Sequence, residues 1–193
     1  MKQRPAVFLD RDGVLNRVVI GADGVPRPPS SVEDVEFLTG VEDACDMLRG
    51  LGYILVVVTN QPDVARGTQS RAAVEAINAL VCDRLSLDQV RVCYHDDSDG
   101  CACRKPEPGL IFNAARDLGI DLTASFLVGD RHRDIEAGQR AGCVTILVGD
   151  GYGESLWSKP DANLPSLVEA AAWIGARARL QVGAEGAGRR YGS

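Results

Sequence analysis

Hydrophobic positions along the chain fall into short continuous runs that alternate with stretches of helical spacing. Ala6–Leu9 is apolar throughout and bounded by Pro5 and Asp10, as a strand covered on both faces would be. From Gly40, the apolar positions Val41, Ala44, Cys45, Leu48 and Leu51 share one helical face, with Gly52 as the stop. Tyr53 to Val58 is a second continuous run, rich in Val, that ends in Thr59-Asn60-Gln61. Ser70 is placed to cap a helix carrying Val74, Ile77, Val81 and Leu85 on one side. Val90 to Tyr94 predicts a third strand. Pro106 and Pro108 then lead into a helix with Ile111, Ala114, Ala115 and Leu118, closed by Gly119. Phe126 to Val128 and Val144 to Val148 predict two more strands, separated by a helix from Ile135 to Ala141. Leu164 to Ala176 predicts the last helix.

This alternation predicts an α/β fold, a doubly wound parallel sheet with helices on both faces. The expected organisation is one domain over residues 1–176 and a flexible tail over 177–193, rich in Gly and Arg from Gly183. Arg17 to Ser31, with its glycines and prolines, reads as an exposed loop or short hairpin. The distance from the first polar cluster to the second leaves little room for a large cap domain. Gly149, Gly151 and Gly153 lack dinucleotide-binding spacing and read as a flexible loop.

A chain of 193 residues is long enough to bury a core without covalent staples. Its net charge of -6 argues against a nucleic-acid or anionic-membrane partner. No apolar run approaches the roughly 20 residues of a membrane span, and Met1 to Pro5 leads into the first strand without a secretory apolar region. The expected location is the cytoplasm; a monomer is compatible with these features, which do not fix an oligomeric state. The six cysteines are then expected as thiols or metal ligands rather than disulfides. Cys45, Cys82 and Cys143 lie among apolar neighbours and read as small core residues.

Every polar cluster follows a predicted strand: Asp10 and Asp12, then Thr59, then the loop ending in Arg104 and Lys105, then Asp130 and Asp134. Open parallel sheets bind ligands at these carboxyl ends. Asp12-Gly13 is by itself ordinary turn chemistry. A calcium loop fits worse, because Gly13 comes too early, Gly21 occupies the acidic twelfth position and no helix precedes. The functional reading makes Asp10 a carboxylate nucleophile and Asp12 its proton donor and acceptor. Oxygen donors of this kind suit magnesium, held by Asp10, the backbone carbonyl of Asp12 and Asp130, while Thr59 and Lys105 hold phosphate oxygens. Arg104 and Lys105 read alternatively as solvated charge. Asp134 reads equally as an acceptor beside the metal or as a helix cap, His132 as an exposed loop residue rather than a ligand, and Asp63 with Arg66 as a surface pair or, alternatively, as direct substrate contacts. Cys93, His95, Cys101 and Cys103 offer one imidazole and three thiolates. Their spacing is tighter than that of common zinc fingers and fits structural zinc or free thiols.

Asp10-Arg11-Asp12-Gly13-Val14-Leu15-Asn16, the Thr59 cluster, Arg104-Lys105-Pro106, and Gly129-Asp130 with Asp134 resemble the four motifs of haloacid-dehalogenase-like phosphatases in order and spacing. The first motif, Thr59-Asn60-Gln61 and Cys101-Ala102-Cys103-Arg104-Lys105-Pro106 look more narrowly like the heptose-bisphosphate phosphatase and histidinol-phosphatase branch. The resemblance implies Asp10 as nucleophile, Asp12 as acid and base, and Asp130 as the carboxylate completing the magnesium site. It also places Asn60, Arg104 and Arg131 near substrate and implies zinc on Cys93, His95, Cys101 and Cys103. Pro62-Asp63 stands where that branch often has Ser-Gly, and Arg131 where Lys is as common.

The expected function is magnesium-dependent hydrolysis of a small phosphorylated metabolite through an aspartyl phosphate. The expected substrate is a sugar bisphosphate, with the 7-phosphate of heptose 1,7-bisphosphate first and histidinol phosphate as the rival. Two rivals from other classes are a signalling receiver domain, which keeps its phospho-Asp, and a silent scaffold whose zinc loop binds a partner protein.

Overall fold

The computed structural model describes residues 3–22, 24–151 and 159–188. A six-stranded sheet lies at its centre: β1 (Ala6–Leu9), β4 (Ile54–Asn60), β5 (Gln89–Cys93), β6 (Phe126–Gly129), β7 (Val144–Val148) and β8 (Ala162–Leu164). The strand order is β5-β4-β1-β6-β7-β8, and each neighbouring pair is parallel. β1 is central, with Val7 in register with Leu55 on one side and Phe126 on the other.

The period of two along these strands divides the core. Val7, Leu9, Leu55 and Val57 pack with α1 (Val41–Gly50), α2 (Arg71–Leu85) and α5 (Leu167–Gly188). Ala6, Phe8, Val56 and Val58 pack with α3 (Gly109–Leu118) and α4 (His132–Ala141). Both faces are therefore dry, which is why these strands read as unbroken apolar runs rather than as alternation. The doubly wound parallel fold expected from the sequence is the fold observed. The chain runs outward from β1 through β4 to β5 and then crosses back to β6, so the switch point lies between β1 and β6. Ligand crevices open at the carboxyl ends of strands at such a point.

Several boundaries differ from the expected ones. β4 continues through Thr59 and Asn60. α4 begins at His132, three residues early, because Asp134 accepts from the Arg131 backbone N–H at 3.1 Å and caps the first turn. The edge strand β8 went unpredicted: three residues with a central Asn make no apolar run. α5 runs to Gly188, well past Ala176; residues 189–193 of the expected tail and Gly153 of the expected loop lie outside the described residues. Ser70 caps α2 through Ala73 N at 3.1 Å, and Gly119 ends α3 in the left-handed conformation, both as expected. The segment after β1 forms a hairpin of β2 (Val19–Ile20) and β3 (Pro26–Arg27). Among the described residues between β1 and β4, only this hairpin, a short helical turn and α1 are present, and no cap domain is evident.

Candidate active site

Lys105 stands at the centre of the crevice. Its ammonium is buried and donates to Asp10 Oδ1 at 2.7 Å and to the Val58 carbonyl at 2.7 Å, and pairs with Asp134 Oδ1 at 2.5 Å. Asn60, at the end of β4, fixes the backbone of Lys105 from both sides. Its Nδ2 donates to the Lys105 carbonyl at 3.0 Å, and its Oδ1 accepts from the Lys105 N–H at 3.1 Å. Burial opposes the charge on Lys105, but Asp10 and Asp134 outweigh it and raise its pKa.

Asp10 leaves β1 with its backbone N–H bonded to Val128 O at 3.0 Å, so it sits on the β6 side of the switch point. Burial raises its pKa to about 6; Lys105 pulls it down, and Asp134 and Asp12 push it up again. Asp130, just past β6, is raised to about 8 by burial, then by Asp10 and Asp134. Both Asp130 carboxylate oxygens are buried without a hydrogen-bond partner. Oxygens of Asp10, Asp130 and Asp134 all lie within 4.8 Å of one another. Buried polar atoms are otherwise almost always paired, and a pocket of carboxylate oxygens is what a hard divalent cation takes. The donor set fits magnesium. Gly129 makes this closeness possible: a Cβ there would lie 2.1 Å from the Cβ of Asp134.

Asp12 is held differently. Arg11, fully buried, forks its carboxylate through Nε at 3.1 Å and Nη2 at 2.9 Å, and its Nη1 donates to Asn78 Oδ1 at 2.7 Å. Asn16 Nδ2 donates to Asp12 at 3.0 Å, and Gln61 Nε2 lies 2.8 Å from both Asp12 Oδ2 and Thr59 Oγ1. The sequence motifs contain Arg11, Asn16 and Gln61 without assigning them individual roles, and they do not contain Asn78. The available signal was Arg11 itself, a cation directly after a buried strand and in need of a buried partner.

The crevice opens into a cavity of about 550 Å3 lined by Asp10, Asp12, Thr59, Asn60, Lys105 and Asp134, with Arg27, Arg66, Arg104, Arg131 and Arg133 also in its wall. Arg104 is not solvated charge: it forks Asp97 at 2.9 and 3.3 Å. Arg104, then Arg133, hold the Asp97 carboxyl well below the usual carboxylate range. Arg66 pairs with Asp63 at 3.5 Å, but its shorter partner is Asp96 at 2.6 Å. His132, read from sequence as an exposed loop residue, is the first residue of α4 and lines the cavity. Asp134 takes both of its expected positions, one oxygen capping α4 and the other on Lys105.

Beside the cavity, Cys93, His95, Cys101 and Cys103 converge. The three sulfurs lie 3.2, 3.4 and 3.7 Å apart, and His95 Nδ1 lies 3.5 and 3.3 Å from Cys93 and Cys103. Ligands at zinc distances on a tetrahedron are separated by about 3.5–3.8 Å, so the set is compatible with zinc. Of the other thiols, Cys45 and Cys143 are buried in the core, and Cys82 is half-buried against it.

Comparison with known proteins adds sequence and structural relatives. The HAD-hydrolase-like family model matches residues 102–170. The D-glycero-beta-D-manno-heptose-1,7-bisphosphate 7-phosphatase of Photorhabdus laumondii is 38% identical over 173 residues, covering 83% of this chain and 88% of the relative. The Escherichia coli K12 protein of the same name is 37% identical over 163 residues, covering 78% and 82%. The crystal structure of D,D-heptose 1,7-bisphosphate phosphatase from B. bronchiseptica, complexed with magnesium and phosphate, superposes with a TM-score of 0.77 at 31% identity. It covers 90% of this chain and 99% of that one.

Proposed function

The chain belongs to the haloacid-dehalogenase-like phosphatases, and from that premise we propose that it removes the 7-phosphate of D-glycero-D-manno-heptose 1,7-bisphosphate. The β anomer is the one in the names of its relatives. The observation that carries the chemistry is the meeting of Asp10 with the unpartnered Asp130 carboxylate beneath an arginine-walled cavity. The same wall favours a doubly phosphorylated sugar over histidinol phosphate, whose amine calls for carboxylates instead.

In this reading a carboxylate oxygen of Asp10 attacks phosphorus, forming an aspartyl phosphate as the bond to the sugar oxygen breaks. Asp12 gives the departing oxygen its proton and then takes one from the water that hydrolyses the intermediate, returning Asp10 to its starting state. Arg11, Asn16 and Gln61 hold Asp12 for this work. Lys105 places its charge beside Asp10, and Thr59 is available to the phosphoryl oxygens. Asp10, Asp130 and the backbone carbonyl of Asp12 would hold magnesium, with Asp134 beside them; the ion would neutralise charge on the transferred group. Cys93, His95, Cys101 and Cys103 would hold zinc as a cross-link of the loop that carries Asp96 and Asp97. All six cysteines are free thiols. Among the described residues, no helix is long and apolar enough to cross a membrane.

The test is phosphate release from both anomers of the bisphosphate and from histidinol phosphate, with and without magnesium, beside Asp10→Asn. Magnesium-dependent turnover of the bisphosphate to the 1-phosphate, lost in the variant, is expected. Preference for histidinol phosphate, or release of the 1-phosphate group, would overturn the substrate assignment; a stable phospho-Asp10 without turnover would overturn the catalytic one.

A further inference from the structure

We propose that Asp97 is a positioning residue that sets the preference for a doubly phosphorylated substrate by gathering Arg104 and Arg133 at one point of the cavity wall. This rests on the bisphosphate reading above. Asp97 Oδ1 lies 2.9 Å from Arg104 Nε and 2.6 Å from Arg133 Nη1, and Oδ2 lies 3.3 Å from Arg104 Nη2. The two arginines come from different elements, one following the Cys/His loop and one in the first turn of α4. Both line the cavity that contains Asp10 and Lys105.

Lys105 does not serve a remote anionic group. Its ammonium has three N–H donors, and Asp10, Asp134 and the Val58 carbonyl take them deep in the crevice. A second phosphate, carried on the far end of the substrate, therefore needs cations from the wall. Two guanidinium groups held together without a shared anion would repel each other. Asp97 removes that repulsion and leaves the trio with a net positive charge. A guanidinium carries five N–H donors in a rigid fork. The contacts to Asp97 and the 3.4 Å contact of Arg104 Nη1 with His95 O use only some of the ten. In this proposal, donors of Arg104 and Arg133, which both line the cavity, take the oxygens of the remote phosphate.

Asp97 lies between His95 and Cys101, so the fold of that loop decides where the arginines meet. Its neighbour Asp96 does the same for Arg66, accepting at 2.6 and 3.1 Å. The loop thus reaches the wall through two successive carboxylates, although neither touches the groups assigned to bond breaking.

The experiment compares heptose 1,7-bisphosphate with heptose 7-phosphate, which share the scissile group and differ only in the remote phosphate. In Asp97→Ala and in Asp97→Asn, KM for the bisphosphate is expected to rise about tenfold, the loss of one charge-assisted contact. Its kcat and both constants for the 7-phosphate are expected to stay within about twofold, and Asp97→Glu to recover part of the difference. Bound zinc and melting temperature of each variant, measured in parallel, separate this effect from loss of the loop. An unchanged bisphosphate KM, or equal losses on the two sugars, would overturn the inference. If the wild-type enzyme shows no preference for the bisphosphate, the substrate reading fails separately. The role of Asp97 is then read from inhibition of p-nitrophenyl phosphate hydrolysis by fructose 1,6-bisphosphate: weaker inhibition in Asp97→Ala supports it, and unchanged inhibition overturns it.

Discussion

Arg11 and Asp12 are neighbours in sequence and meet again through their side chains, the fully buried guanidinium forking the carboxylate at 2.9 and 3.1 Å. The third arm of that fork ends on Asn78 of α2 at 2.7 Å. A helix far from the crevice in sequence therefore braces the group assigned to proton transfer. Asn78→Ala is expected to lower stability by about 1–3 kcal/mol, the cost of leaving a buried charged donor without its partner. It should also reduce kcat while leaving KM nearly unchanged. Urea unfolding and steady-state kinetics check both, and wild-type values in both would show that Arg11 needs no brace.

Gly129 is the point at which β6 and α4 come too close for a side chain. Its Cβ would stand 2.1 Å from the Asp134 Cβ and 2.6 Å from Asp134 Oδ2. Gly129→Ala should push Asp134 away from Lys105, cost about 1–3 kcal/mol as overpacking does, and weaken magnesium binding. Thermal melts and a magnesium titration of activity would show it. Unchanged magnesium dependence would mean that Asp134 is not needed at the metal.

The raised carboxyl groups couple metal binding to pH. Asp10 at about 6 and Asp130 at about 8 bind protons more tightly in the metal-free fold than in the unfolded chain. Their contribution favours the metal-free fold in acid and is lost as pH rises from the ordinary carboxylate range through those values. Magnesium held by these carboxylates would displace the protons, so its stabilising effect should grow with pH. The melting-temperature increase on adding magnesium is expected to be larger at about pH 8.5 than at about pH 5.5. An increase independent of pH would contradict the carboxylate site.

The Cys/His set makes a separate prediction. Purified protein should carry one zinc per chain by elemental analysis, and Cys103→Ser should lose it. Because ligand binding adds directly to folding free energy, the variant should melt several degrees lower, on the scale of about 1–3 kcal/mol for a domain of this size. Wild-type stability without zinc would leave the set as three packed thiols beside an imidazole.

Much of this was legible along the chain. Continuous apolar runs such as Ala6–Leu9 and Ile54 to Val58 announce strands covered on both faces, because an antiparallel sheet with a wet face would have alternated. Their regular separation by helical segments yields the parallel topology, and the placement of Thr59 at the end of a strand and of Asp10, Lys105 and Asp130 after strands indicates the edge on which they meet. β8 was hidden because an edge strand of three residues buries little and imposes little on its sequence.

Chain order and spacing alone thus determined the fold class and the edge of the sheet on which Asp10, Thr59, Lys105 and Asp130 converge. Which partner each side chain takes was decided only by the tertiary structure, since those partners lie tens of residues apart and the pairings follow from packing. Asn78 reaches Arg11 across 67 positions and Lys105 reaches Asp10 across 95. Asp97 joins Arg104 to Arg133 from a loop whose course the strands do not dictate. Local periodicity reports how a segment is buried and does not record which distant group its polar atoms will meet.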